Sequence, residues 1–287
     1  MNSDAADLQG ADGQAASSPA KALAGMALSE DAFLDDRLLL LQPERGYRAG
    51  LDAVLLAAAA PGRGLPGGAR VLDAGAGIGT VGLCVARRLP DVQAVLVERN
   101  PMLAALAARN IDRNGLAARV RAVESDLLAS AAALTEMGLG PETFDVVLAN
   151  PPYHDETRGT ASNDGIKAAA HAMPGRDLDQ WARVLARVCR AGGSIVMIHM
   201  ASALPQVLDA VASRFGEMDV MPVHARAGEP AGRIIVRGTK GSRAPLRLLA
   251  GFVVHDTSGA FTPAAEAILR HGAALDWPPR ANRRRRG

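Results

Sequence analysis

The chain reads as an α/β protein with one mostly parallel sheet and helices on both faces, and three observations predict this. From residue 69 onward, short β-branched runs alternate with longer segments of helical period. A glycine-rich turn, Gly75-Ala76-Gly77-Ile78-Gly79, follows the first such run and opens a helical segment. Polar residues then stand at the ends of successive runs, at Asp73, Glu98, Asp126 and Asn150. That is the side on which open α/β sheets bind ligands.

The expected strands are 70–73, 94–98, 119–123, 144–149 and 194–199, and the expected helices are about 78–89, 101–114, 127–137 and 176–191. A further helix near 203–215 leads to late strands around 218–224, 232–238 and 247–255. Late strands after a parallel series suggest an antiparallel addition to one sheet, hence one domain over 29–275. Residues 1–28 lack periodicity and read as a disordered acidic head, and residues 276–287 as a flexible basic tail. Between head and sheet, 38–60 reads as a turn feeding an amphipathic helix, which either caps the core or closes over a ligand at the strand ends.

At 287 residues the chain is long enough to bury a substantial core. Its two cysteines, Cys84 and Cys189, have no metal-ligand spacing and read as buried, reduced thiols of a cytoplasmic protein. No apolar run reaches the length of a membrane span, and the start lacks the basic and apolar regions of a secretory signal. The net charge of +2 conceals an asymmetry, because residues 1–36 carry seven acids and one base, a net of −6, which leaves +8 for the rest. A body that basic is compatible with a polyanionic partner.

The loop spacing is G-x-G-x-G, with Thr80 where a dinucleotide fingerprint would put its third glycine. Asp73, directly before the loop, meets a cationic ammonium well and a pyrophosphate badly. The combination favours S-adenosylmethionine over a nicotinamide dinucleotide, with its amino group near Asp73, its ribose hydroxyls on Glu98 and its adenine amine on Asp126. Taken singly, each acid is more often a helix cap or a solvated loop residue. In order, at the ends of three successive strands, they point at one crevice.

Asn150-Pro151-Pro152-Tyr153 ends the fourth strand with an amide carbonyl, a stiffened turn and an aromatic face. The Asn150 side-chain oxygen and the Pro151 carbonyl can accept the two hydrogens of a planar amino group and aim its lone pair at an electrophilic methyl, while Tyr153 stacks on a base. The bland reading is a rigid exit from a strand. His154 and His171, in the polar stretch that follows, are candidate bases, although a lone histidine beside a site more often positions or simply faces solvent. Arg233 to Arg247 carries five bases, Arg233, Arg237, Lys240, Arg243 and Arg247, and no acid. It reads either as a phosphate-contacting strip or as a solvated edge that charge protects from pairing.

The Asp73–Gly79 loop, Glu98, Asp126 and Asn150-Pro151-Pro152-Tyr153 resemble the motifs of amino-methylating class I S-adenosylmethionine-dependent methyltransferases. More narrowly, Gln42-Pro43-Glu44-Arg45-Gly46-Tyr47-Arg48 with Leu51-Asp52, and the stretch from Arg233 to Leu246, resemble the bacterial tRNA1(Val) adenine-37 N6-methyltransferase family, over about residues 36–275. The resemblance implies a single Rossmann-like domain with a mostly parallel seven-stranded sheet and one antiparallel late strand. It implies S-adenosylmethionine as cofactor, held by Tyr47, Asp52, Asp73, Gly75, Gly77, Gly79, Glu98, Arg99, Asn100, Asp126 and Asn150. It also implies RNA, with tRNA foremost, as partner through Arg233, Arg237, Lys240 and Arg243, with N6-methyladenine as product. Guanine N2 methylation of ribosomal RNA and glutamine methylation of release factors use the same chemistry and stand as alternatives. A catalytically silent RNA-binding scaffold would have no reason to keep Asp73, Glu98 and Asn150 together.

Overall fold

The computed structural model describes residues 26–46, 48–62, 64–151 and 175–280, with side chains of the last stretch described from 178. Tyr47, Pro152, Tyr153, His154 and His171 lie outside the described residues.

Five parallel strands form the centre of the sheet: β3 (Arg70–Ala74), β4 (Gln93–Glu98), β5 (Val120–Glu124), β6 (Phe144–Ala149) and β7 (Cys189–Met200). The strands β8 (Phe215–Arg226) and β9 (Ala231–Lys240) follow, with β9 antiparallel to both β7 and β8. Two short strands, β10 (Arg247–Leu248) and β11 (Phe252–His255), each run parallel to β8, so the sheet has nine strands rather than the seven expected. Its order is β10-β8-β9-β7-β6-β3-β4-β5. The strand order reverses at β3, which lies between β4 and β6 and parallel to both, and the helices that follow β3 and β6 pack on opposite faces, which opens a crevice at the carboxyl ends.

Val71, Val146, Val196 and Ile235 face one core layer, and Leu72, Val147, Ile195 and Val236 face the other. Because successive strand residues point to opposite faces, a sheet covered on both sides needs near-continuous apolar runs, which these strands have. The first layer is closed by α1 (Leu51–Ala59), α2 (Thr80–Arg88), α3 (Pro101–Arg113) and α7 (Pro263–Leu269). The second is closed by α4 (Ala131–Glu136), α5 (Gly175–Val188) and α6 (Leu204–Ala212).

Three expectations are corrected. The helix α1 is not amphipathic, since Ala53 to Ala60 are all buried beneath α2, α7 and an N-terminal hairpin. That hairpin, β1 (Leu28–Phe33) with β2 (Leu38–Pro43), was not foreseen and begins within the expected head. The chain from 276 to 280 is anchored rather than loose: Trp277 Nε1 donates to the Ala59 carbonyl at 3.1 Å, and Arg280 bonds Asp219. No helix among the described residues is long and apolar enough to cross a membrane, and Cys84 and Cys189 are free and buried.

Candidate active site

Strand register brings the predicted residues to one level. Ala74 of β3 pairs with Ala149 of β6 and with Val97 of β4, and Glu98 pairs with Glu124 of β5. One residue further on, Asn150, Gly75 and Glu98 therefore stand side by side at the carboxyl edge. Asn150 and Glu98 are two strand spacings apart, roughly 10 Å.

The glycine loop is held by its own hydrogen bonds. Ala76 N–H donates to the Val97 carbonyl at 2.9 Å and Gly79 N–H to the Ala76 carbonyl at 2.8 Å. Gly77 N–H donates to Glu98 Oε2 at 2.9 Å, and Asn100 N–H to Glu98 Oε1 at 2.8 Å. Glu98 thus fixes the loop that it borders. Gly75, at φ +68°, could carry no side chain, because an added Cβ would lie 2.7 Å from the Trp181 ring. Gly79, at φ +90°, caps α2 in the left-handed region, where a side chain would be strained.

Asp73 points under the loop. Its Oδ2 accepts the Gly82 N–H at 2.8 Å in the first turn of α2, and the residue is buried. Burial pushes its carboxyl up to about 7; the Gly82 hydrogen bond opposes this and the neighbouring Glu98 charge adds to it. An acid whose folded value lies above its unfolded one contributes stability that is full below about pH 4 and is lost as pH rises through about 7. The ligand-free protein should therefore melt at progressively lower temperature between pH 5 and 8. Asp73→Asn, which still accepts from Gly82, should flatten that slope; an unchanged slope would remove Asp73 as its source.

The remaining expected contacts divide. Asp126 is exposed, and its Oδ1 accepts the Leu128 N–H at 2.8 Å in a tight turn beyond β5. Asn100 commits its side-chain oxygen to capping α3, accepting from Met102 N–H at 3.0 Å and Leu103 N–H at 3.2 Å, so its side chain serves the helix. Arg99 is exposed beside it. Asp52, in the first turn of α1, pairs with Arg233 of β9 at 2.8 Å. Pro151 is buried and Asn150 half-buried.

Most bases of the expected phosphate-contacting strip are paired with acids. Arg237 and Arg247 both bond Asp219, a fully buried carboxylate on β8, and Lys240 Nζ donates to the Cys189 carbonyl at 2.7 Å and pairs with Glu142 at 3.2 Å. With Arg233 on Asp52, four of the five bases have acidic partners, and Arg243 is the exposed one without an ion pair to a described residue.

Sequence reasoning missed three residues near the site. Trp181 of α5 roofs Gly75. His199, near the end of β7, accepts the Met200 N–H on Nδ1 at 2.9 Å; burial pushes it down to about 4, with Arg233 adding to the effect, so the ring is neutral with its proton on Nε2. Asn110 of α3 is fully buried and reaches the loop carbonyl of Ile78 at 3.1 Å. The signal for it was present: two asparagines one turn apart, at 110 and 114, in an otherwise good helix former.

The donor set suits the expected cofactor. Two buried or half-buried acids flank the loop, a poor surround for a pyrophosphate and a good one for a nucleoside bearing an ammonium and a sulfonium. Among the described residues no cluster of histidine, cysteine and acid could hold a metal.

Comparison with known proteins agrees with the geometry. Residues 54–175, from α1 to the start of α5, match the methyltransferase small domain family. A release factor glutamine methyltransferase of Chlorobaculum tepidum is 29% identical over 195 residues, 66% of this chain and 64% of the relative. A tRNA1(Val) (adenine(37)-N6)-methyltransferase of Bacteroides thetaiotaomicron is 36% identical over 107 residues, 37% of this chain and 40% of the relative. The matches thus cover less than two thirds of either curated relative. The crystal structure of a "predicted O-methyltransferase" from Agrobacterium tumefaciens is 32% identical with a TM-score of 0.66, and the alignment covers 79% of this chain and all of that one. A loop, an acid and an amide stand at the ends of adjacent parallel strands, and a solved methyltransferase is matched over its whole length at 32% identity, so this chain belongs to the class I S-adenosylmethionine-dependent methyltransferases.

Proposed function

We propose that the protein transfers a methyl group from S-adenosylmethionine to a planar exocyclic nitrogen, with adenine N6 in tRNA as the first candidate. The observation that carries this reading is the register that sets Asn150 level with Gly75 and Glu98 at the carboxyl edge of β6, β3 and β4. When bound, the cofactor supplies an electrophilic methyl on a positively charged sulfur. Glu98, which holds the loop through Gly77, would accept the ribose hydroxyls, and Asp73 would hold the ammonium. Asn150 Oδ1 and the Pro151 carbonyl accept the two hydrogens of the target amine, which draws its lone pair out of conjugation and directs it at the methyl. Catalysis then comes from orientation and fixed dipoles rather than from a strong base. A base reaches such a site only unstacked or flipped out of a helix.

The relative that methylates adenine 37 of tRNA1(Val), together with the resemblance of 42–48 and 233–246 to that family, supports the RNA reading. One observation favours a protein substrate instead. With Arg233, Arg237, Lys240 and Arg247 paired to acids, the late strands offer a polyanion less charge than their composition suggests. A glutamine carboxamide is also planar and presents two hydrogens to the same acceptors, and the Chlorobaculum tepidum relative is named for that reaction. Incubation with labelled S-adenosylmethionine, total RNA and total protein separates the readings. Label in N6-methyladenosine supports the first, label in protein the second, and label in neither fraction sinks both.

A further inference from the structure

The strand β2 has β1 on one edge only, so the N–H and C=O groups of Leu39 and Leu41 on its other edge need partners. Among the described residues no strand supplies them; two side-chain amides do, from Asn110 of α3 and from Asn114, the residue that caps its C-terminus. Asn110 Oδ1 accepts the Leu41 N–H at 2.8 Å and its Nδ2 donates to the Leu41 carbonyl at 3.1 Å. One helical turn on, Asn114 Oδ1 accepts the Leu39 N–H at 3.0 Å and its Nδ2 donates to the Leu39 carbonyl at 2.9 Å. The spacing explains the fit. Residues i and i+4 of a helix rise about 6 Å, and residues i and i+2 of a strand are separated by about 6.8 Å. A pair of asparagines one turn apart therefore imitates the edge of a neighbouring strand.

Asn110 differs from Asn114 in its second acceptor, which for Asn114 is the Asn110 carbonyl at 2.8 Å. The Asn110 amide nitrogen also donates to the Ile78 carbonyl at 3.1 Å, inside the glycine loop. Ile78 is fully buried, so no water can take over that bond. The other end of the hairpin is tied as well: Gln42 Nε2 donates to Asp31 at 2.9 Å, Gln42 Oε1 accepts the Ala49 N–H at 2.8 Å, and Arg48 clamps Asp31 through two bonds of 3.0 and 2.9 Å. Three residues beyond Ala49 stands Asp52, already joined to Arg233 of the sheet.

We infer that Asn110 is a positioning residue that couples the N-terminal hairpin to the cofactor loop, a single buried carboxamide holding the Ile78 carbonyl and the edge of β2 together. The hairpin, the loop and the entry to α1 then keep one relative geometry. Loss of Asn110 frees the loop to sample arrangements in which Gly77 N–H leaves Glu98, and the cofactor must restore the order when it binds. Loss of Asn114 loosens the hairpin alone. The inference rests on the reading of the glycine loop as a cofactor site, so its test includes a measurement without cofactor.

Asn110→Ala, Asn110→Asp and Asn114→Ala are compared with the parent chain by hydrogen exchange of the ligand-free protein and by calorimetric binding of S-adenosylhomocysteine. Asn110→Ala should speed exchange over 75–82 and weaken binding about tenfold, the worth of roughly one lost hydrogen bond. Asn114→Ala should speed exchange over 28–43 only, with binding unchanged. If Asn110→Ala does not fold, Asn110→Asp decides in its place, because it still accepts from the Leu41 N–H and loses the donor to the Ile78 and Leu41 carbonyls. Parental exchange over 75–82 in the Asn110 variants, or equal weakening by Asn114→Ala, overturns the coupling. A parent chain that binds no S-adenosylhomocysteine rejects the cofactor reading instead, while the exchange data still decide the coupling.

Discussion

Asn150→Ala is expected to abolish methyl transfer, by at least about 10²–10³ in kcat, while cofactor affinity stays close to the parent value. The size follows from what the amide is asked to do. A nitrogen conjugated with a ring or a carbonyl is a poor nucleophile until its hydrogens are held out of plane, and of the two acceptors proposed for them one is the Asn150 side chain. The Pro151 carbonyl alone fixes one hydrogen and leaves the lone pair unaimed. The affinity should survive because Glu98, Asp73 and the loop carry the cofactor, and because Asn150 is half-buried at a strand end, where truncation leaves the core intact. Asn150→Asp retains an acceptor of similar shape and should keep more activity than the alanine variant. Single-turnover transfer of labelled methyl, run beside calorimetric cofactor binding, reads both quantities. A fully active alanine variant would remove Asn150 from the mechanism, and a joint loss of turnover and binding would move it into the cofactor site.

Much of the site was legible because it is local. The strand that carries Asn150 spans Phe144–Ala149 as its apolar run predicts, and the loop after β3 announces itself by glycine spacing within seven residues. Parallel strands buried on both faces write themselves as near-continuous apolar runs, so β3, β4 and β6 could be read one at a time, while the edge strand β5 was read from its place in the alternation of strands and helices. What failed to show depends on distant partners. Leu38-Leu39-Leu40-Leu41 has no alternation to mark a strand, since its register is set by β1 and by asparagines some 70 positions away, within α3 and at its C-cap. The helix α1 looked two-faced because its covering, the hairpin and α7, comes from both ends of the chain. The pairing of the bases in 233–247 was hidden for the same reason. The carboxylate that pairs with Arg233 is 181 positions earlier and the one that pairs with Lys240 is 98 positions earlier, while Asp219 lies in a run that reads as apolar strand.

Asp219→Ala is expected to destabilise the fold by about 3 kcal/mol, a large fraction of the 5–15 kcal/mol typical of a domain. The carboxylate has no solvent exposure, and three guanidiniums converge on it: Arg237 at 2.7 Å, Arg247 through Nε at 2.8 Å and Nη2 at 3.1 Å, and Arg280. Burial alone would raise its carboxyl, yet the hydrogen bonds from Arg247 and Arg237 outweigh burial and hold it below the usual aspartate range. Removing it leaves three cations facing one another with no anion between them, the situation in which a broken buried pair costs most. The guanidiniums are about a quarter exposed, at 25%, 27% and 22%, so water recovers part of the loss and the lower end of the range applies. The cost also has a location. Arg247 donates to the Pro278 and Pro279 carbonyls, Arg280 to Glu217 and Met218, and the Arg237 guanidinium lies 4.2 Å from the Trp277 ring centroid. Without Asp219 the segment from 277 to 280 should detach from β8 and β9 before the sheet melts. Tryptophan fluorescence in a urea titration should then change ahead of the far-ultraviolet signal, whereas in the parent chain the two coincide. The acid limb separates this from general weakening: a carboxylate with a lowered folded value stabilises above about pH 4 and loses that contribution as pH falls through the lowered value. The variant should therefore lose less stability than the parent on acidification below pH 4, and a constant difference across that range would show that Asp219 acts through packing and not through its charge.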